Sequence, residues 1–124
     1  MAWRLDKNQP IYLQLAEEIQ SRIVSGIYSH GEKIDSVRDL AAEAGVNPNT
    51  MQRALTELER NGLLRTERTA GRFVTEDETL ITQVRRTLAH EKIEVFIREL
   101  TTLGYHPKEI NGLLQAYFEE ENHE

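Results

Sequence analysis

The chain has 124 residues and a mass of 14.3 kDa, which allows one ordinary domain and a small appendage but excludes a barrel enzyme or a two-domain dinucleotide-dependent enzyme. Its hydrophobic fraction of 39% and charged fraction of 29% are typical of a soluble globular protein, and the lack of cysteine excludes disulfides and cysteine-rich zinc sites. The net charge of −6 argues, taken alone, against a nucleic-acid partner.

The acidic excess lies in the C-terminal two-fifths of the chain. Residues 1–74 contain ten basic and ten acidic side chains and are neutral, whereas residues 75–124 contain five basic and eleven acidic side chains. Residues 47–74 have a net charge of +2, from five basic and three acidic side chains. The overall charge therefore does not exclude DNA as a partner of the N-terminal part.

The first predicted helix opens at Pro10 and ends near Gly26, residue types that suit a first turn and a stop. Apolar residues recur along it at three- and four-residue steps, as on the buried face of an amphipathic helix. They are Tyr12, Leu15, Ala16, Ile19, Ile23 and Ile27. A loop centred on Gly31 follows.

Two shorter helices are predicted next, joined by a tight turn. Ser36 and Asp39 have the spacing of a capping box, which predicts that the second helix starts at Ser36. Asn47 is a good N-cap, Pro48 suits the first position of a third helix, and Gly62 suits its end. Two helices joined in this way predict a helix-turn-helix.

Two β-prone runs, residues 63–66 and 72–75, flank a polar loop that contains Gly71, and this pattern predicts a hairpin. A helix-turn-helix followed by a hairpin is a winged helix. We therefore predict a mostly α fold with a small β-hairpin, in which residues 1–75 form a winged helix-turn-helix domain.

Two further helices are predicted in residues 76–124: a long one from about residue 79 to 103, and another that starts at His106-Pro107. Their apolar residues spread more widely than one winged domain could cover, so we expect a homodimer interface there. The expected interface residues are Leu88, Val95, Phe96, Leu100, Leu103, Ile110, Leu114, Tyr117 and Phe118. In the alternative, both helices fold back on their own winged domain.

The third helix has a polar face that suits DNA recognition. If Met51, Leu55 and Leu58 point inward, a set of polar side chains must point outward: Asn49, Gln52, Arg53, Thr56 and Arg60. Asn and Gln can bind adenine and Arg can bind guanine in the major groove, and the first turns of a recognition helix meet the base edges. A solvated polar face is the alternative, and the predicted hairpin favours DNA.

Five blocks of sequence occur in a characteristic order within residues 9–74. The blocks are 10–15 with Ile19, Ile23 and Gly26, then 34–41, 45–54, 58–64 and 71–74. Together they resemble the GntR family of bacterial transcription regulators. The remaining 50 residues cannot hold the effector or aminotransferase-like domain of most branches, and they resemble the short YtrA-like branch, in which two helices dimerise the protein.

The resemblance implies a sequence-specific transcription regulator, most often a repressor in such families, that binds a double-stranded DNA operator as a homodimer. We expect DNA contacts from Ser36, Arg38, Asn47, Asn49, Thr50, Gln52, Arg53, Arg68, Gly71 and Arg72. The resemblance implies that Arg38 meets a backbone phosphate and that Gln52 and Arg53 face the groove. For Arg53, this position favours a bidentate base contact.

The chain departs from the family pattern at four positions. Pro48 and Gln52 stand where many members carry arginine, Thr69 replaces the first glycine of the wing tip, and Asp35 replaces a proline. These departures bear on the operator sequence more than on DNA binding itself.

Other functions have less support in the sequence. Winged helices also pair with proteins, so a protein-protein interaction module without specific DNA binding is the alternative; such a module would more often expose apolar anchors where Arg65, Arg68 and Arg72 stand. The histidines share no metal-ligand spacing, and no phosphate loop or nucleophile elbow occurs, so we expect no metal, cofactor or enzymatic activity. No residue pattern identifies a small-molecule effector.

The N-terminal residues lack the apolar core of a secretory signal, and no apolar stretch is long enough to span a membrane. These features predict a cytoplasmic protein.

Overall fold

The computed structural model describes residues 3–122, which form five helices and one antiparallel two-stranded sheet. In chain order the elements are α1 (Ile11–Val24), α2 (Val37–Ala44), α3 (Pro48–Arg60), β1 (Leu64–Glu67), β2 (Gly71–Val74), α4 (Glu78–Thr102) and α5 (Pro107–Asn122). The predicted mostly helical fold with a hairpin is confirmed. The chain divides into two compact units, the first ending at Arg85 and the second beginning at Arg86, so α4 contributes to both.

Side-chain caps start α2 and α3 at the residues that the sequence predicted. The Ser36 hydroxyl accepts a hydrogen bond of 3.2 Å from the backbone N–H of Asp39. The side-chain oxygen of Asn47 accepts one of 2.7 Å from the N–H of Asn49. Gly45 ends α2 at φ +71°, a left-handed conformation that costs glycine little. Local interactions therefore define both helices of the helix-turn-helix.

The core of the first unit lies where α1, α2 and α3 meet the hairpin. Its fully buried side chains are Leu15, Ile19, Leu40, Met51, Ala54, Leu55, Leu63 and Val74. The first turns of α4 also belong to this unit, because Ile81 is buried and the Arg85 Nε donates a 2.7 Å hydrogen bond to the carbonyl of Val24. Ile27 departs from the prediction: it lies beyond the end of α1 and is 56% exposed.

The hairpin is held against the segment that precedes α2. Leu64 pairs with Val74 and Glu67 with Gly71, which places residues 68–70 at the tip. On the outer side of β2, the N–H of Ile34 donates to the carbonyl of Arg72 at 3.0 Å, and a bridge joins Lys33 to Phe73. We call residues 64–74 the wing. These bonds fix its position relative to the start of α2.

In the second unit, residues 92–97 of α4 and 110–114 of α5 line an open apolar groove. Ile110 lines it together with Phe96, Ile97 and Leu114 and is only 6% exposed. Ile110, which the sequence predicts at the dimer interface, is thus covered within its own chain. Gly104 lies between the two helices at φ +102°, a left-handed conformation that costs glycine little.

The core assignment predicts a sharp difference between two leucines of the first unit. Leu55→Ala should lower the free energy of unfolding by about 2–5 kcal/mol, because it leaves a cavity among fully buried neighbours. Leu13→Ala is the matched control, since Leu13 is exposed on α1, and we expect a change within about 0.5 kcal/mol. Urea unfolding of the full chain measures both, and equal losses would contradict the assignment.

Candidate nucleic-acid interface

A cleft of about 730 Å³ lies between the start of α2 and the wing. Residues on both sides contribute to its lining, and they include half of the side chains that the sequence predicted to contact DNA. These are Ser36, Arg38, Arg68, Gly71 and Arg72. The backbone hydrogen bonds between residues 32–34 and β2 bring these positions together, although they lie far apart in the sequence.

The other five predicted residues lie at or just before the first turns of α3: Asn47, Asn49, Thr50, Gln52 and Arg53. Thr50 is half-buried and the others are exposed, whereas Met51, Leu55 and Leu58 are buried as predicted. The Asn47 side-chain oxygen is occupied by its cap bond, so its amide NH2 is the group that can donate to a ligand. The start of α3 thus presents hydrogen-bonding groups to the outside.

Arg72, which the sequence predicts to contact DNA, already has a carboxylate partner within the fold. Its Nε donates a 2.6 Å hydrogen bond to a carboxylate oxygen of Glu59 on α3, and its side chain is only 16% exposed. Burial opposes ionisation of Glu59, but hydrogen bonds from Arg72 and Thr66 outweigh that effect, so the pKa of this carboxyl lies below its ordinary value. Arg72 therefore ties the wing to α3.

The other arginines of α2, α3 and the wing differ in whether a carboxylate pairs with them. Arg60 pairs with Glu57 at 3.2 Å, and Arg65 pairs with Glu67. Among the ion pairs of residues 3–122, none involves the guanidinium of Arg38, Arg53 or Arg68. The N–H donors of these three side chains are therefore available for a ligand.

Two residues of the site were missed by the sequence analysis. Lys33 lines the cleft beside Gly71, and a Cβ placed at position 71 would lie only 3.1 Å from the Lys33 Cε. Tyr12 of α1 lies beneath the guanidinium of Arg53, with 3.7 Å between the Arg53 Cζ and the ring centroid. Neither has a local sequence signal, because each contact joins residues about forty apart in the chain.

His90 of α4 and His106, which directly precedes α5, have local partners. His90 Nδ1 lies 3.2 Å from a carboxylate oxygen of Glu94, and His106 Nδ1 accepts a hydrogen bond from the N–H of Lys108. Within residues 3–122, His, Asp and Glu side chains form no group of three or more that could hold a metal ion. In the same range, no helix is both long enough and apolar enough to cross a bilayer.

The pKa of Glu59 predicts how acid affects the wing. Because the pKa in the folded state lies below the unfolded value of about 4.5, the ion pair stabilises the fold above that pH and loses its effect as the pH falls further. Glu59→Gln should cost about 1 kcal/mol at neutral pH and flatten the acid side of the stability profile. Glu57→Gln, on the same helix, breaks an exposed pair and should cost about 0.5 kcal/mol or less. Identical pH profiles for Glu59→Gln and the unmodified chain would contradict this.

Residues 11–74 match the family described as bacterial regulatory proteins, gntR family. The chain is similar over nearly its whole length to the uncharacterized HTH-type transcriptional regulator YhcF of Bacillus subtilis (strain 168), with 36% identity covering 94% of this chain and 96% of YhcF. It is also 35% identical to the HTH-type transcriptional repressor YtrA of the same strain, over 71% of this chain and 68% of YtrA.

Solved structures that are similar to this chain indicate the same family. A GntR family transcriptional regulator from Listeria monocytogenes has a TM-score of 0.83 and 38% identity, covering 90% of this chain and 98% of that one. A structure of AraR(DBD) in complex with operator ORX1 has a TM-score of 0.52 and 32% identity, covering 60% of this chain and 92% of that one. The resemblance seen in the sequence blocks is confirmed. The chain belongs to the gntR family of bacterial regulatory proteins, which are DNA-binding transcription regulators and not enzymes.

Proposed function

We propose that this protein is a homodimeric transcriptional repressor that binds an inverted-repeat operator. The observation that carries the proposal is a set of arginines around the start of α3 and the neighbouring cleft that have no carboxylate partner within residues 3–122. Related proteins supply the repressor role: YtrA is named a repressor, and AraR(DBD) is solved with an operator. Two identical helices related by a two-fold axis would read half-sites about 10 base pairs, or a multiple of that, apart.

The two parts of the site suit different parts of the DNA. Arg38 and Arg68 line the cleft and take part in none of the ion pairs within residues 3–122. Phosphate oxygens are the groups that such side chains bind without regard to sequence. Asn49 and Gln52, exposed on the first turns of α3, carry amides that can bind adenine bidentately. Affinity would therefore come mainly from the cleft and sequence preference mainly from α3.

The proposed dimer interface lies on the second unit. Of the ten large apolar side chains that are exposed within residues 3–122, eight lie between Ile93 and Phe118. Six of the nine expected interface residues are among them, while Leu88 and Leu100 are half-buried and Ile110 is buried. An apolar surface of this kind is unfavourable in water, and a second copy of the same unit would cover it.

The alternative function, protein binding through the winged domain, lacks anchors. Within residues 3–85, the exposed large apolar side chains are Leu13 and Ile27, and neither belongs to α3 or the wing. Interfaces between proteins usually centre on buried aromatic or apolar residues. The outer face of α3 and the wing favours a polar, anionic partner instead.

DNA binding is tested with the full chain and duplexes selected from a random pool. Arg38→Ala should weaken binding to selected and unrelated duplexes alike and lower the slope of log affinity against log salt by about one. Arg60→Ala is the control, since Arg60 already pairs with Glu57, and we expect it to leave the slope nearly unchanged. If the unmodified protein selects no DNA, the proposed function is wrong.

Dimerisation is tested by placing charge on the second unit. Phe118→Glu should raise the dimer dissociation constant by at least about 100-fold, because each of two copies loses about 1.5–3 kcal/mol of burial. Ile27→Glu is the matched control: Phe118 is 59% exposed and Ile27 56%, but Ile27 lies on the first unit. Sedimentation velocity measures both, and a Phe118→Glu chain that stays dimeric would exclude this interface.

A chain that ends at Arg86 keeps Ile81 and Arg85 with the winged domain and should be monomeric.

A further inference from the structure

Tyr12 and Arg53 form a close cation–π contact between α1 and α3. The Arg53 Cζ lies 3.7 Å from the centroid of the Tyr12 ring, well inside the range of about 6 Å at which a cation is attracted to an aromatic face. Tyr12 is half-buried at the start of α1, whereas Arg53 is exposed on α3. A flexible side chain on the surface of the domain is thereby held in one place.

A cation–π contact is made through the positive charge of the guanidinium rather than through a conventional hydrogen bond from one of its N–H groups. The group has five N–H donors, so donors remain for a further partner. Arg65 provides the contrast, because it lies over the Phe73 ring and also pairs with Glu67. Among the ion pairs of residues 3–122, Arg53 has no such carboxylate. Arg53 is therefore oriented but still open to an anion.

Helix geometry places Arg53 and Gln52 on opposite margins of the exposed face of α3. Residues seven apart on a helix lie on nearly the same side, so Gln52 shares the side of Glu59, which pairs with Arg72 of the wing. Arg53 is turned about 100° from Gln52 and contacts α1. When a helix enters the major groove, its outer margins lie near the sugar-phosphate strands that border the groove.

We propose that Arg53 binds a backbone phosphate of the DNA and that Tyr12 is the positioning residue that holds its guanidinium against α1 for this contact. This inference rests on the proposed function, and it replaces the base contact that the sequence alone favoured for Arg53. The ligand is the phosphodiester oxygen of either DNA strand, read without regard to base sequence.

The test measures binding of full-length variants to two duplexes of equal length, one selected by the unmodified protein and one of unrelated sequence, over a salt series. Arg53→Ala should weaken both by the same factor and lower the salt slope by about one. Tyr12→Phe keeps an aromatic face and should bind as the unmodified chain does. Tyr12→Leu and Tyr12→Met keep the apolar bulk without that face, and both should lose part of what Arg53→Ala loses.

A double-mutant cycle separates positioning from a merely structural role. Tyr12→Leu combined with Arg53→Ala should bind no more weakly than Arg53→Ala alone, and urea unfolding without DNA should show each single variant folded. Additive losses would overturn the role of Tyr12. If Arg53→Ala weakens only the selected duplex, by about 5- to 150-fold, the contact is to a base and the inference is wrong while the proposed function stands. An unmodified protein that binds neither duplex overturns both.

Discussion

The burial of one stripe of α3 is the constraint on which the site depends. Met51, Ala54, Leu55 and Leu58 are inaccessible to solvent, or nearly so, where α3 packs against α1 and α2. Because the helix repeats every 3.6 residues, burying these four side chains leaves Asn49, Gln52 and Arg53 no direction but outward. A rigid apolar contact thus sets the orientation of polar groups that make no contribution to the core.

The chain has a net negative charge, whereas a surface that binds nucleic acid should be positive. The ion pairs of the arginines explain how both can be true. Arg72 is neutralised by Glu59 and Arg60 by Glu57, so these carboxylates are used within the fold. Arg38, Arg53 and Arg68 have no carboxylate partner among the described residues. Local potential depends on which charges remain unpaired at a surface, and the net charge of −6 therefore says little about this one.

The second unit exposes more large apolar side chains than the first. Its two helices bury Ile110 between them, yet leave large apolar side chains such as Leu103, Tyr117 and Phe118 facing solvent. A pair of helices cannot enclose a core of its own when apolar residues lie on more than one side of each helix. This excess of apolar surface is the basis for the proposed association of two copies.

The sequence by itself determined the elements and their boundaries to within a few residues. The Ser36 cap, the Asn47-Pro48 start of α3 and the hairpin around Gly71 are all local, since each depends on residues within a few positions of one another. Only the tertiary structure decided which side chains meet across the fold: Arg72 with Glu59, Lys33 with Gly71, Arg53 with Tyr12, and Ile110 with α4. Periodicity identifies which side of a helix is apolar, but it does not identify the neighbour that covers that side. That is why the sequence alone indicates neither the Glu59 partner of Arg72 nor the burial of Ile110 within its own chain.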